Sequence, residues 1–328
     1  MFLRAAAYRA SMDILQETPS VPEADCWSSW INHGRDGGNA AVRAHVAVQT
    51  AAFAEKILNH VQTPPASMLD IGSGDGLMSW AALSRWPHVY VTMTDISPAL
   101  LSQARMEAAK RGVASQCNFV LANAETLESI ADHTQDLVTS RSALAYVVDK
   151  PASFRAAFRV LKPGGILSIA EPLFREQALS TSKLQEAAYA ETDNPLPALL
   201  HRWKAAQFEN PFDSLQQNPI TSYTEQNLLG FASQAGFEDL QMELHVEERQ
   251  APPRGWEVFC AMSPHPLAPS SGEILATRFS AVERRILELA LRPRVEKGEF
   301  NITSRMIYLC GRKPEIHVLE SDRLSLTR

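Results

Sequence analysis

MLDIGSGDG, residues 68–76, is a short apolar run that ends abruptly in alternating glycines. Met68, Leu69 and Ile71 have the density of a buried strand, and Gly72, Gly74 and Gly76 mark a tight turn where backbone can approach a ligand that any Cβ would obstruct. Leu77, Trp80 and Ala81 follow at helical spacing and Pro87 stops that helix, so the unit reads strand, glycine loop, helix. Such a unit places a nucleotide-type ligand at the carboxyl end of a first parallel strand. The glycines fall as G-x-G-x-G rather than the G-x-G-x-x-G of a dinucleotide fingerprint, with Asp70 in the strand end and Asp75 in the loop. Two carboxylates here would repel a pyrophosphate but suit a ligand carrying an ammonium and ribose hydroxyls.

Downstream, His88 to Thr94 alternates toward Asp95 and reads as a second strand. An acidic residue at this end can accept both ribose hydroxyls, because Ser97 and Pro98 already supply the cap and first turn of the next helix. Ile96 is then placed to pack on an adenine face. Cys117 to Leu121 forms a third strand closing at Asn123-Ala124-Glu125, and Gln135 to Ser140 a fourth that runs on through TSRSALAY, Thr139 to Tyr146. Asp149 and Pro151 open a helix carrying Phe154, Phe158 and Leu161, after which KPGG, Lys162 to Gly165, turns into a fifth strand, Ile166 to Ala170, ending in Glu171-Pro172.

With these features in this order, the chain resembles the class I S-adenosylmethionine (SAM) dependent methyltransferases. The resemblance covers residues 60 to 172 well, and 222 to 248 and 302 to 313 more loosely. It implies a doubly wound α/β fold, a seven-stranded Rossmann-like sheet with an antiparallel last hairpin, and SN2 transfer of a sulfonium methyl to an O, N or C nucleophile. It further implies cofactor contacts from Asp70, Gly72, Ser73, Gly74, Asp95, Ile96, Asn123, Ala124 and Arg141. The family usually has an acidic residue where Asn123 stands, and an amide oxygen can also accept from the adenine amine. Because a sulfonium leaves readily, the protein's tasks are alignment and, where needed, proton removal. Candidate bases are Glu171, His33, His201, His245 and His265, of which Glu171 has the best address, at the carboxyl end of a central strand. Arg141 and Tyr146 are placed to orient a polar substrate group.

The remaining segments read as lids and insertions. Residues 1–60 form an N-terminal helical cap, with a helix over Ala41 to Leu58 whose apolar face is Val42, Val46, Ala47, Phe53 and Ile57. Ahead of it WSSWINHGRDGG, Trp27 to Gly38, is either a surface turn or a cofactor lid in which Arg35 or Arg43 meets a carboxylate. Residues 61–172 are the SAM-binding core and 173–221 a substrate lid insertion, with Trp203 and Phe208 expected to keep water from the methyl end. Residues 222–313 complete the core, opening on a Ser222/Glu225 capping box and including strands at Leu240 to Val246 and Ile302 to Cys310. Between those strands lies an inserted helix, 270–292, capped by Ser270 and Glu273, with Leu275, Phe279, Val282, Ile286 and Leu289 on one face. That face is expected to dock on its own domain, a homodimer being its alternative use. Residues 314–328 are a polar tail.

Composition narrows the acceptor. In 328 residues, 45% apolar and 21% charged with a formal net charge of −6, there is no basic run to hold a nucleic acid. Cys26, Cys117, Cys260 and Cys310 are too scattered for a zinc or disulfide framework, no stretch reaches membrane-spanning length, and Met1 to Ala10 lacks the continuous apolar run of a signal peptide. A cytoplasmic enzyme acting on a small, partly apolar metabolite, as in secondary metabolism, is the reading. A peptide methyltransferase and a non-catalytic, SAM-binding or partner-regulating protein are the alternatives.

Overall fold

The structure, a computed structural model, describes residues 22–190, 193–208 and 215–315. The first 21 residues of the expected cap, Pro211 and residues 316–328 of the tail lie outside these. Seven strands run β1 Ser67–Ile71, β2 Tyr90–Asp95, β3 Cys117–Leu121, β4 Gln135–Arg141, β5 Leu161–Pro172, β6 Glu238–Gln250 and β7 Asn301–Arg312. They form one sheet in the order β3-β2-β1-β4-β5-β7-β6, parallel through the first five, with β7 antiparallel to both its neighbours. The direction of winding reverses between β1 and β4, which opens a crevice beyond their carboxyl ends.

Alternation along each strand feeds two cores. Leu69, Ile71 and Val138 pack on one face with Phe154, Ala157 and Val160 of α5 (Lys150–Val160) and Leu228 and Ala232 of α8 (Glu225–Ala235). On the other face, Met68, Leu137 and Val91 meet α2 (Ala40–Asn59), α3 (Leu77–Arg85) and α4 (Pro98–Lys110) through Ala54, Ile57, Met78, Leu83 and Ala104. No helix among the described residues is long and apolar enough to cross a membrane.

Several local expectations change. KPGG lies inside β5 rather than ahead of it, as an irregularity of the ladder: Leu161 pairs with Gln135 and pairing resumes at Ile166 with Leu137, so Leu161 belongs to β5 and not to the helix of Phe154 and Phe158. The cap of α8 is Thr224 with Asn227, two residues after the expected Ser222/Glu225 pair. In α2 the buried positions are Val42, Thr50, Ala54, Ile57 and Leu58, while Ala47 faces out.

The segment after β5 forms α6 (Arg175–Ala190) and α7 (Leu196–Phe208). The insertion between β6 and β7 forms α9 (Trp256–Ala261), α10 (Ser271–Arg278) and α11 (Ala281–Lys297). The expected single helix is therefore two: Phe279 is extended, at φ −132° and ψ 142°, and Ser280 with Glu283 caps a new start. That break resets the helical phase, so Leu287, Leu291 and Val295 face inward while Val282 and Leu289 are 70% and 60% exposed. The inward face packs on Leu199 and Trp203 of α7, so the two insertions cover each other.

Candidate active site

Five loops, each following one of the strands β1 to β5, enclose a cavity of about 380 Å³ at the sheet's carboxyl edge. All nine residues singled out for cofactor contact line it: Asp70, Gly72, Ser73, Gly74, Asp95, Ile96, Asn123, Ala124 and Arg141. The glycine loop has little room for anything else. Gly72 sits at φ +63°, where a Cβ would lie 2.3 Å from the Ala143 Cβ, and a Cβ on Gly76 at φ +80° would lie 2.5 Å from the Trp80 ring.

Asp95 ties this loop to β2, its carboxylate accepting from Gly74 N at 2.8 Å and from Ser97 N at 2.9 Å. Burial pushes its carboxyl up and these amide donors oppose the shift. Each of its oxygens keeps a further lone pair for a ligand hydroxyl. Asp70 is enclosed, accepts from Ser79 Oγ at 2.6 Å, and is pushed up to about 6 by burial against that hydrogen bond. Two guanidiniums complete the polar wall. Arg35 donates to Asp75 at 3.1 Å, and burial lowers Arg141, which feels Asp75 and Glu171 in partial compensation. Arg35 Nε and Ser73 Oγ are buried without a protein partner, as groups awaiting a polar ligand would be.

The N-terminal cap does close the cavity. Trp27, Trp30 and Ile31 line it from α1 (Cys26–Ser29) and the π-helical turn Trp30–Gly34, with Trp27 edge-on to Tyr146 at 5.2 Å. Trp30 Nε1 donates to the Ser263 carbonyl at 3.2 Å, which brings Pro264 and Pro266 into the same wall. Asp25, not a candidate from the sequence, caps α1 and accepts from Ser97 Oγ at 2.6 Å, so the lid is bonded to the turn that follows Asp95. Its signal is the D-x-x-S capping box that it forms with Ser28. Arg43 instead grips Asp36 through two hydrogen bonds, at 2.7 and 3.3 Å, within the cap.

The catalytic candidates divide. Arg141 and Tyr146 line the cavity, and burial pushes the Tyr146 phenol up. Glu171 does not reach the wall: it is fully buried and accepts from Ser140 Oγ, Ala143 N and Ala145 N at 3.1, 3.3 and 3.0 Å. Its expected role as base is therefore replaced by that of a brace under the turn after β4. His33 is exposed and lies outside the lining. His245 sits on β6 among Lys56 and Glu243. His201 and His265 line a different cavity, and burial drops His265 to about 4. Trp203 and Phe208 are also corrected, neither lining the cavity: Trp203 is buried between the two insertions, and Phe208 is buried behind the wall, its ring 6.3 Å from that of Phe174. From the segment after β5, Phe174 lines it instead.

Comparison with known proteins accords with this geometry. The family model of the methyltransferase domain matches residues 63–229, just over half of the chain. The chain belongs to the class I SAM-dependent methyltransferases, and SAM is its cofactor. Among its relatives, the ubiquinone/menaquinone biosynthesis C-methyltransferase UbiE of Shewanella woodyi is 28% identical over 183 residues, 54% of this chain and 68% of that protein. The protein of the same name from Vibrio cholerae is 32% identical over 178 residues, 53% of this chain and 65% of its own length. In fold, the YcgJ protein of Bacillus subtilis superposes with a TM-score of 0.51 at 17% identity, covering 82% of this chain and 99% of that one.

Proposed function

We propose that this methyltransferase acts on a small, partly apolar acceptor that carries a planar ring. The observation that carries the reading is the division of the cavity: loops after β1 to β3 supply polar groups, whereas Trp27, Tyr146, Val147, Phe174, Pro264 and Pro266 make the other side aromatic and apolar. On the polar side, Asp95 holds the ribose hydroxyls, Ile96, Asn123 and Ala124 meet the adenine, and Asp70 faces the methionine ammonium. Arg35 and Arg141 are the groups for its carboxylate. Bound SAM would supply an electrophilic sulfonium methyl: an electron pair of the acceptor, a ring π pair where carbon is methylated or a lone pair on O or N, forms the new bond as the S–CH3 bond breaks to a neutral thioether, and the acceptor atom then gives up its proton. The residues of this chain align the acceptor and exclude water, and Glu125, the lining carboxylate given neither to the cofactor nor to Arg35, is placed to receive a released proton. The name of the relatives, a C-methyltransferase of ubiquinone and menaquinone biosynthesis, is in keeping with a ring acceptor and makes carbon the first accepting atom to test.

Calorimetric titration is expected to show binding of SAM and S-adenosylhomocysteine (SAH) but not NAD. Conversion of SAM to SAH is then expected with 1-naphthol or reduced 1,4-naphthoquinone as probe acceptors, and not with short peptides. Peptide turnover would replace the acceptor class, and binding without turnover on any probe would favour a non-catalytic protein.

The site also has a pH signature. An ammonium beside Asp70 favours the ionised carboxylate, so SAH affinity is expected to be full above about pH 6 and to fall as pH drops through that value. In folding the sign is reversed. The native value lies above that of an ordinary, solvated aspartate, so Asp70 makes stability decline as pH rises between the two. Asp95 is also raised, so Asp70→Asn is the control that assigns the step. SAH affinity that stays level across pH 6 in the unsubstituted protein would remove the ammonium from Asp70.

A further inference from the structure

The turn between β4 and α5, residues 142–149, starts against the glycine loop at Ala143 and runs on into the acceptor-side wall of the cavity, contributing Ser142, Ala143, Tyr146, Val147 and Val148. Such a connection buries backbone groups that no strand or long helix satisfies, so its shape depends on what partners them. Two charged side chains do this from behind the wall, and neither of them lines the cavity. Glu171 accepts from Ala143 N and Ala145 N at 3.3 and 3.0 Å. Lys150, 3% exposed, donates from Nζ to the carbonyls of Ala145, Val147 and Pro219 at 3.1, 2.8 and 2.8 Å. The N–H and C=O of Ala145, next to Tyr146, are thus held by opposite charges.

We infer that Lys150 and Glu171 are a positioning pair that sets the acceptor-side wall of the methyl-transfer cavity by clamping the backbone of this turn from both sides. An ammonium with three carbonyl acceptors and no carboxylate in hydrogen-bond contact is a costly way to fill a core position, and an apolar residue of similar volume would pack there without desolvating a charge. What the charge adds is direction. Its three acceptors are the carbonyls on either side of Tyr146 and one on the Pro219 loop, and its Nζ lies 4.5 Å from the centre of the Tyr223 ring. The Tyr223 hydroxyl in turn donates to the carbonyl of Pro172, another wall residue. Glu171 and Glu125 are the acidic groups that support the Lys150 charge, against burial that lowers it to about 8. Lys150 holds Ala145 and Val147 on either side of Tyr146, away from the glycine loop, whereas Glu171 also holds Ala143, which packs against Gly72, so Lys150 is the arm that acts on the acceptor and not on SAM.

This inference rests on the proposed placement of the acceptor, but its test reads the turn directly. Hydrogen exchange is compared on SAH-bound wild type, Lys150→Met and Lys150→Gln, the last retaining two N–H donors without the charge. Met is expected to speed exchange of peptides covering 142–148 by about tenfold or more, Gln by less, with peptides of β1 and β2 unchanged. SAH affinity is expected to hold while binding of 1-naphthol to the SAH complex, followed by tryptophan fluorescence, weakens in the same order. If Lys150→Met fails to fold, Glu171→Gln must show the same rise at Ala143 and Ala145. Unchanged exchange in the turn, or SAH binding lost in parallel with naphthol binding, would overturn the assignment. Should wild type bind no naphthol, the acceptor class fails and exchange alone decides the clamp.

Discussion

Asp95→Ala is expected to weaken SAM and SAH binding on the order of a hundredfold or more. A hydrogen bond to a charged group contributes about 1.5 to 3 kcal/mol, and two ribose hydroxyls engage this carboxylate in the proposed complex. A second effect adds to the first, since Asp95 also receives the Gly74 amide at 2.8 Å and so organises the glycine loop before any ligand arrives. Removing the side chain leaves that buried N–H unpaired and frees the loop. Asp95→Asn keeps one acceptor oxygen and is expected to fall between the two. Calorimetry gives the affinities, and a thermal melt shows whether the variant is folded. Wild-type affinity in a folded Asp95→Ala protein would show that the ribose is held elsewhere.

The sheet and its polar loops were legible from sequence for one reason: each piece of evidence is contiguous. A parallel strand buried on both faces produces a dense apolar run, as at Met68 to Ile71, and the polar residues that line the cavity lie at its end or within a few positions beyond it. Asp95, Ile96, Asn123 and Ala124 all have such an address. The lids do not. Trp30 reaches Ser263 across 233 residues and Asp25 reaches Ser97 across 72, and no periodicity encodes either meeting. Phase is lost more locally. The spacing from Phe279 to Val282 imitates a continuing helix, but an extended residue and a fresh Ser280 cap intervene, so Val282 and Leu289 turn outward. Glu171 shows a third limit. Its position at the end of β5 is plain in the sequence, yet burial and three donors behind the wall decide its work, and neither is written in the strand.

The same limit explains the lid residues, and it can be tested by exchanging their expected roles. Trp203 is apolar whether it faces an acceptor or a neighbouring helix; here it is 6% exposed among Leu275, Phe279, Leu287 and Leu291, with its ring centre 5.8 Å from that of Phe259. Trp203→Ala therefore removes a large buried side chain from the layer that joins the two insertions, and is expected to cost about 3 to 5 kcal/mol of stability. Its indole N–H has no partner to orphan, so that cost is one of cavity and lost packing. Denaturant unfolding should show the loss, while SAH affinity and naphthol binding, measured well below the unfolding transition, should stay as in wild type. Trp27→Ala should do the reverse. Trp27 lines the cavity edge-on to Tyr146, so its removal opens the acceptor side to water and weakens naphthol binding by about tenfold. Its stability cost should be far smaller, because the ring closes a lid and does not fill a core. If Trp203→Ala instead weakened naphthol binding in a folded protein, the segment after β5 would cover the acceptor after all, and Phe174 alone would not account for its contribution.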